Sequence, residues 1–287
     1  MWSKDTELLF FKESRKIVSD EQLFYVTDDN RYVAYWPNDY KGKKSTLQSR
    51  NSLIGNFTEK WTANLIRELL ANSELYVLQN VQCEEIGLNY RSPADIVIAT
   101  KNDNILKPKD IKLIFEVKMS LVWNWELNKD DNSITELGNY KTHQGSPSLL
   151  RSDSILKAIR KCINIRVSNN AASKIPLIII GNTPITETSS QKMDYLKNAG
   201  IIQGVWSINS KPLGSENTLK NTKSNGFIRF DNKNELKNEI LKNIDNDKNF
   251  FSSMKSTEEL GKIIENADKK ETYDQKGVEF LRLIRGN

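Results

Sequence analysis

The chain reads as an α/β protein in which helices cover a central sheet, and three stretches carry that reading. From Ile111 to Ser120, the residues Ile111, Leu113, Phe115, Val117 and Met119 alternate with Lys112, Ile114, Glu116, Lys118 and Ser120, the period-two pattern of a strand with one apolar face. From Leu53 to Leu70, the residues Phe57, Trp61, Leu65 and Leu69 form one stripe at helical spacing, with Lys60, Asn64 and Arg67 on the exposed side. The run PLIIIG from Pro176 has no polar face and fits a buried strand covered on both sides.

Residues 1–52 are expected to form an N-terminal accessory segment. A helix over about Lys4 to Val18 leads into two strand-like runs that flank Asp28, Asp29 and Asn30, a composition suited to a hairpin turn. Lys41 to Ser52 is basic and polar, either a solvated linker or a contact for a nucleic-acid backbone.

Residues 53–231 hold the predicted core. After the helix come strands over Leu75 to Leu88, Ala94 to Thr100 and Ile111 to Ser120, with an Asn-, Asp- and Pro-rich turn between the last two. Val122 to Pro147, which includes Trp123, Trp125, Asp130, Asp131, His143 and Gln144, shows no clear period. A segment of that length is a binding loop or lid, or else a short helix or hairpin with a weak pattern.

An amphipathic helix follows, with Ile155, Ile159, Cys162, Ile163 and Arg166 along one side and Asp153, Lys157, Lys161 and Asn164 along another. Ser148 or Ser152 is its expected N-cap. Then come the buried strand at Pro176, a helix closed by Gly200, a strand over 201–209, a lysine-bearing polar loop over 210–226 and a strand from Gly226 to Asp231. Residues 232–287 read as a helical C-terminal extension of two or three helices rich in Lys, Glu and Asn.

The 287 residues carry 42 Lys and Arg against 37 Asp and Glu, a formal net charge of +5. With a sequence pI near 8.9, this permits nucleic-acid binding without requiring it. The apolar fraction of 38% and mean hydropathy of -0.58 fit a soluble globular protein, expected in the cytoplasm. No apolar run approaches the roughly 18 residues of a membrane span, and Met1 to Ser14 lacks the apolar region of a secretory signal. Cys83 and Cys162 stand in no CxxC or Cys/His cluster, which argues against a disulfide framework or a structural zinc site. His143 is the only histidine and cannot supply a His-based metal site; no GxSxG or P-loop pattern is present.

The chemistry is expected on the polar face of the 111–120 strand. Glu116 and Lys118 lie two apart, so a strand points both side chains one way, toward a site that Asp95 also reaches from the start of the preceding strand. Two carboxylates and a main-chain carbonyl make an adequate magnesium site, and Asp95, Glu116 and the carbonyl of Val117 are the candidates. A metal there acts as a Lewis acid on a phosphate and lowers the pKa of a bound water. Lys118 would orient the attacking water and offset charge on the phosphorane. The expected reaction is phosphodiester hydrolysis.

Glu59 shares a helix face with Ala63, Ile66 and Leu70, at spacings of four, seven and eleven, and so tends inward. Its alternative is a surface carboxylate favoured near a helix N-terminus. For Glu116 and Lys118 the alternative is a solvated strand face carrying an ordinary pair of opposite charges.

Pro93-Ala94-Asp95 and Glu116-Val117-Lys118, with 116 − 95 = 21 positions between the acids, resemble the motif of the PD-(D/E)xK nuclease superfamily. The order helix, strand, strand, strand, helix, strand over about 53–182 resembles its core. One residue, Ala94, intervenes between the proline and the aspartate. The resemblance implies a restriction-endonuclease-like core with a central mixed sheet, and a helical glutamate that assists metal binding, the place that Glu59 occupies. The stretch from Pro147 to Ile159, with Arg151, Ser152, Asp153 and Lys157, further resembles the segment after the motif in some type II restriction endonucleases.

What the resemblance implies is a magnesium-dependent type II restriction endonuclease that cuts double-stranded DNA at a specific sequence. A homodimer follows from matching protein symmetry to a palindromic site, and a cognate DNA methyltransferase would belong to the same system. Base contacts would come from 122–147 and 210–226, while Arg151 and Lys157 hold phosphates; Ser152 and Gln144 complete the expected DNA contacts. The alternatives are a structure-selective repair or junction nuclease with the same site, and a non-catalytic DNA-binding subunit with the same fold.

Overall fold

The computed structural model describes residues 1–213, 218–245 and 255–285. The most apolar strands lie in the middle of a six-stranded mixed sheet. It is built from β3 (Tyr76–Val81), β4 (Ala94–Ala99), β5 (Ile111–Val117), β8 (Leu177–Gly181), β9 (Gly204–Ser207) and β10 (Phe227–Arg229). The spatial order is β10-β9-β8-β5-β4-β3. β3, β4 and β5 run antiparallel to one another, whereas β5, β8, β9 and β10 run parallel. Parallel neighbours need crossover connections, and α4 (Ser152–Ser168) and α5 (Glu187–Asn198) lie in those joining β5 to β8 and β8 to β9.

The sheet is covered on both faces by separate apolar clusters. Ile96, Ile98, Leu113, Phe115, Val117, Ile178 and Ile180 pack with Ile54, Ala63 and Ile66 of α3 (Gln48–Leu69). Val97, Ile114, Leu177 and Ile179 pack with Ile155, Ala158, Cys162 and Ile165 of α4 and Met193 of α5. The single apolar face expected for 111–119 is therefore incomplete, since Ile111 and Ile114 belong to the second cluster. A central strand with a parallel neighbour is buried from both sides.

A second, antiparallel sheet has the order β1-β2-β6-β7, from β1 (Tyr25–Val26), β2 (Tyr32–Val33), β6 (Asn124–Leu127) and β7 (Ile134–Gly138). The turn between β1 and β2 holds Asn30 at φ 61°, a left-handed conformation that asparagine tolerates. Of the two readings offered for 122–147, β6 and β7 bear out the hairpin with a weak pattern rather than a structureless loop. Its alternation was masked because Asn124 faces inward, where its side-chain carbonyl accepts the Tyr35 N–H at 2.8 Å.

Residues 1–52 and the core share one apolar cluster: Trp2 and both Phe10 and Phe11 of α1 (Lys4–Ser14) lie with Phe115, Trp125 and Trp206. The main-chain N–H of Trp2 donates to the carbonyl of Ile208 at 2.9 Å. α2 (Asp20–Leu23) precedes β1. At the other end, Leu236 and Ile240 of α6 (Lys233–Asp245) join the same cluster. α7 (Thr257–Asp268) and α8 (Tyr273–Arg285) pack against each other. Among the described residues no helix is long and apolar enough to cross a membrane.

Candidate active site

Asp95, Glu116 and Lys118 meet where the β4–β5 ladder ends. The last paired residues are Ile96 and Phe115; beyond them, the N–H of Val117 donates to Asp95 Oδ2 at 2.7 Å. The Asp95 side chain thus replaces a main-chain carbonyl as the partner of β5. On the other side of β4, Gln79 pairs with Ile96 and Val81 with Ala94, so Asn80 falls opposite Asp95 with φ 55°.

The backbone beyond β5 is fixed by polar bonds. Lys118 N–H donates to Ile180 O at 2.7 Å, which extends the parallel pairing by one residue. The Lys118 carbonyl accepts from Ser148 Oγ at 2.6 Å, and that hydroxyl accepts the Asn182 N–H at 3.0 Å. Asn182 also bonds Ser120 twice, its amide nitrogen to the carbonyl at 2.7 Å and its amide oxygen from the N–H at 3.2 Å. Each side chain in the site therefore springs from a constrained backbone.

Four charged groups form a closed set. Lys118 Nζ lies 2.6 Å from Glu116 Oε1 and 3.9 Å from Asp95 Oδ2, and donates to the Val117 carbonyl at 3.0 Å. Lys161 Nζ of α4 lies 2.9 Å from Asp95 Oδ1 and 2.7 Å from Glu116 Oε2. The side chains of Asp95 and Glu116 are only 14% and 8% exposed, so the like charges need this compensation. Burial pushes the Glu116 carboxyl up, and the neighbouring Asp95 adds to the rise against both ammonium groups. Burial alone would lower Lys161, but attraction from Asp95 and Glu116 outweighs it and holds the ammonium charged. Glu59 of α3 is half-buried beside the set; burial, with Asp95 as the next cause, pushes it up to about 7. The structure thus brings Asp95, Glu116 and Lys118 together, with Glu59 near enough to feel their charges.

Lys161 departs from the sequence reading, which grouped it with Asp153, Lys157 and Asn164 on the helix side away from the apolar stripe. It borders the buried stripe of Ala158, Cys162 and Ile165, three residues after the first and four before the last. That position was visible in the spacing; its carboxylate partners were not, because they come from other elements. The N-cap expectation is also corrected: Arg151 occupies that position with no side-chain cap and Ser152 is the first helical residue, while Ser148 opens a separate 3-10 turn and its hydroxyl bonds Lys118 and Asn182.

The residues assigned to DNA fall into two groups. Arg151 and Lys157 are exposed at the start of α4 and both approach Asp153, at 3.9 and 2.9 Å; Ser152 is exposed beside them. Gln144 is elsewhere: its amide nitrogen donates to the carbonyls of Pro37 and Tyr40 at 2.7 and 2.8 Å, and Lys44 donates to its amide oxygen. Those bonds tie the 37–44 segment to the stretch that follows β7. His143 is buried and stacked on Tyr35 at 4.0 Å, and burial lowers it to about 4, which suits a neutral ring. Residues 214–217 of the expected 210–226 contact loop lie outside the described residues.

The donors here suit a hard divalent cation. Asp95 Oδ1 and Glu116 Oε2 already converge on one cationic group, and the Val117 carbonyl faces another. Among the described residues no group of three or more His, Cys, Asp or Glu side chains is placed to hold a metal ion. The protein share would be two carboxylates and a carbonyl, with water completing the shell as magnesium commonly accepts. No protein-family model, no curated protein and no solved structure matches the chain.

Proposed function

We propose that this protein is a magnesium-dependent type II restriction endonuclease of the PD-(D/E)xK superfamily, with a restriction-endonuclease-like core, that hydrolyses phosphodiester bonds in double-stranded DNA. The observation that carries the reading is the convergence of Asp95, Glu116 and Lys118 at the end of the β4–β5 ladder. Asp95, Glu116 and the Val117 carbonyl hold Mg2+, which when bound supplies Lewis acidity toward the scissile phosphate. Lys118, whose side chain is 24% exposed, reaches solvent from the set, where it orients the attacking water and offsets the charge that builds on phosphorus. Glu59 adds a carboxylate to the same cleft. Arg151 and Lys157 meet backbone phosphates, which position the duplex. A homodimer and a partner DNA methyltransferase belong to this reading.

The test is incubation with unmethylated phage DNA, with and without magnesium, beside the Asp95→Asn variant. Discrete fragments are expected only from the unaltered protein with the metal. Full activity in the variant, or cleavage without any metal, overturns the reading. Cutting confined to branched or flapped substrates turns it toward a repair or junction nuclease.

A further inference from the structure

Lys161 has no part in the mechanism above, yet it makes the most central contact in the site. Its ammonium sits at the point to which Asp95 Oδ1 and Glu116 Oε2 both turn, at 2.9 and 2.7 Å. Lys118 uses the opposite oxygens: it contacts Glu116 Oε1 and is nearer to Asp95 Oδ2, at 3.9 Å. The two lysines therefore divide the carboxylates between them, and only one stands between the oxygens that face α4.

A magnesium-sized cation draws its oxygen ligands to roughly 2.0–2.1 Å. The Lys161 ammonium, bridging Asp95 Oδ1 and Glu116 Oε2, stands where a cation bridging the same two oxygens would sit, so the two compete for that place. We propose that Lys161 is a displaceable counter-ion that holds Asp95 and Glu116 together without a divalent cation and competes with that cation for them. The inference rests on the metal-dependent reading of the site. Lysine suits the task, because its point charge rides on a flexible four-carbon stem. Its side chain is 19% exposed, so it is not sealed in the core as Cys162 beside it is. Lys118 stays with its own oxygens, and Lys161 is a positioning residue rather than a catalytic one.

Competition has a signature that simple structural support lacks: removing Lys161 tightens metal binding. The full-length protein without DNA is titrated with Mn2+, and free Mn2+ is read by electron paramagnetic resonance for the unaltered protein, Lys161→Met and Lys161→Gln. Both variants are expected to bind Mn2+ at least about tenfold more tightly, and to melt at a lower temperature than the unaltered protein when no metal is present. Equal or weaker Mn2+ binding by the variants overturns the proposal, as does the absence of binding in all three proteins. If a variant folds only with Mn2+, recovery of its circular dichroism on adding the ion supports the exchange; failure of both to fold even then counts against it. Tighter Mn2+ binding in a protein that cuts no DNA keeps the exchange and sinks the nuclease reading. Magnesium-dependent cleavage with unchanged Mn2+ affinity in the variants does the reverse.

Discussion

Two of the places where the protein buries carboxylates satisfy them in opposite ways. Glu7 of α1 is fully buried and accepts four N–H bonds, from Trp2 Nε1 at 3.0 Å, Trp125 Nε1 at 2.8 Å, Val122 N at 2.5 Å and Trp123 N at 3.3 Å. Burial pushes it up to about 7 against those donors. Its partners are two indole rings and two backbone groups, none of which can leave. Asp95 and Glu116 instead rely largely on two ammonium groups at the ends of long stems. Rigid neutral donors make Glu7 a structural fastener between α1 and the second sheet, whereas cations on long stems around Asp95 and Glu116 suit the metal exchange proposed above.

The sharpest way to break this contrast is to remove one charge from the second place. Lys118→Ala is expected to lower magnesium-dependent cleavage on the order of a thousandfold, about 4 kcal/mol in the barrier, with the folded state retained. Single-turnover cleavage and a melting curve check both halves, and unchanged cleavage would remove Lys118 from the chemistry. At the first place, Glu7→Gln turns an amide toward N–H groups that need acceptors. It should cost about 3 kcal/mol of stability, measured by urea unfolding, and a loss below about 1 kcal/mol would break the fastener reading.

A pH series sharpens the contrast on the side of the second sheet. His143 is held neutral with its folded pKa lowered from 6.5 to about 4. Its contribution is present above about 6.5 and is lost as pH falls toward 4, at up to about 1.4 kcal/mol per pH unit. His143→Phe keeps a ring on Tyr35 and should flatten that loss; an unchanged acid slope excludes His143 as its source. The smallest effect belongs to the exposed Lys157. Lys157→Ala should leave stability within about 0.5 kcal/mol and reduce the salt dependence of DNA binding by about one counterion, read from affinity against salt concentration.

Where one local pattern ruled, the sequence was legible. The stripe in α3, the buried run of β8, the glycine closing α5 and the motif residues around β5 all report their own surroundings. The hidden features depend on partners distant in sequence. Glu7 reads as a surface charge until Val122, Trp123 and Trp125 arrive to meet it. Asn124 interrupts the alternation of β6 because it serves the backbone of Tyr35, 89 residues earlier. Lys161 looks like its neighbour Lys157 until β4 and β5 bring two carboxylates under it. In each case a polar residue is buried for a reason supplied by another element, and propensity cannot register that reason.

The bond from Trp2 to Ile208 carries a consequence for how the chain assembles. Trp2 and α1 are made before much of their seat, which includes the end of β9 and the indole of Trp125. Closing so long a loop costs entropy before any contact repays it. Trp2 must therefore wait for more than two hundred later residues before its bond to Ile208 can close, whereas Phe10 and Phe11 meet Phe57 and Phe24 much sooner. A segment made well before part of its seat completes its docking late, so the apolar side that carries Trp2 stays open to aggregation until the end of β9 is in place.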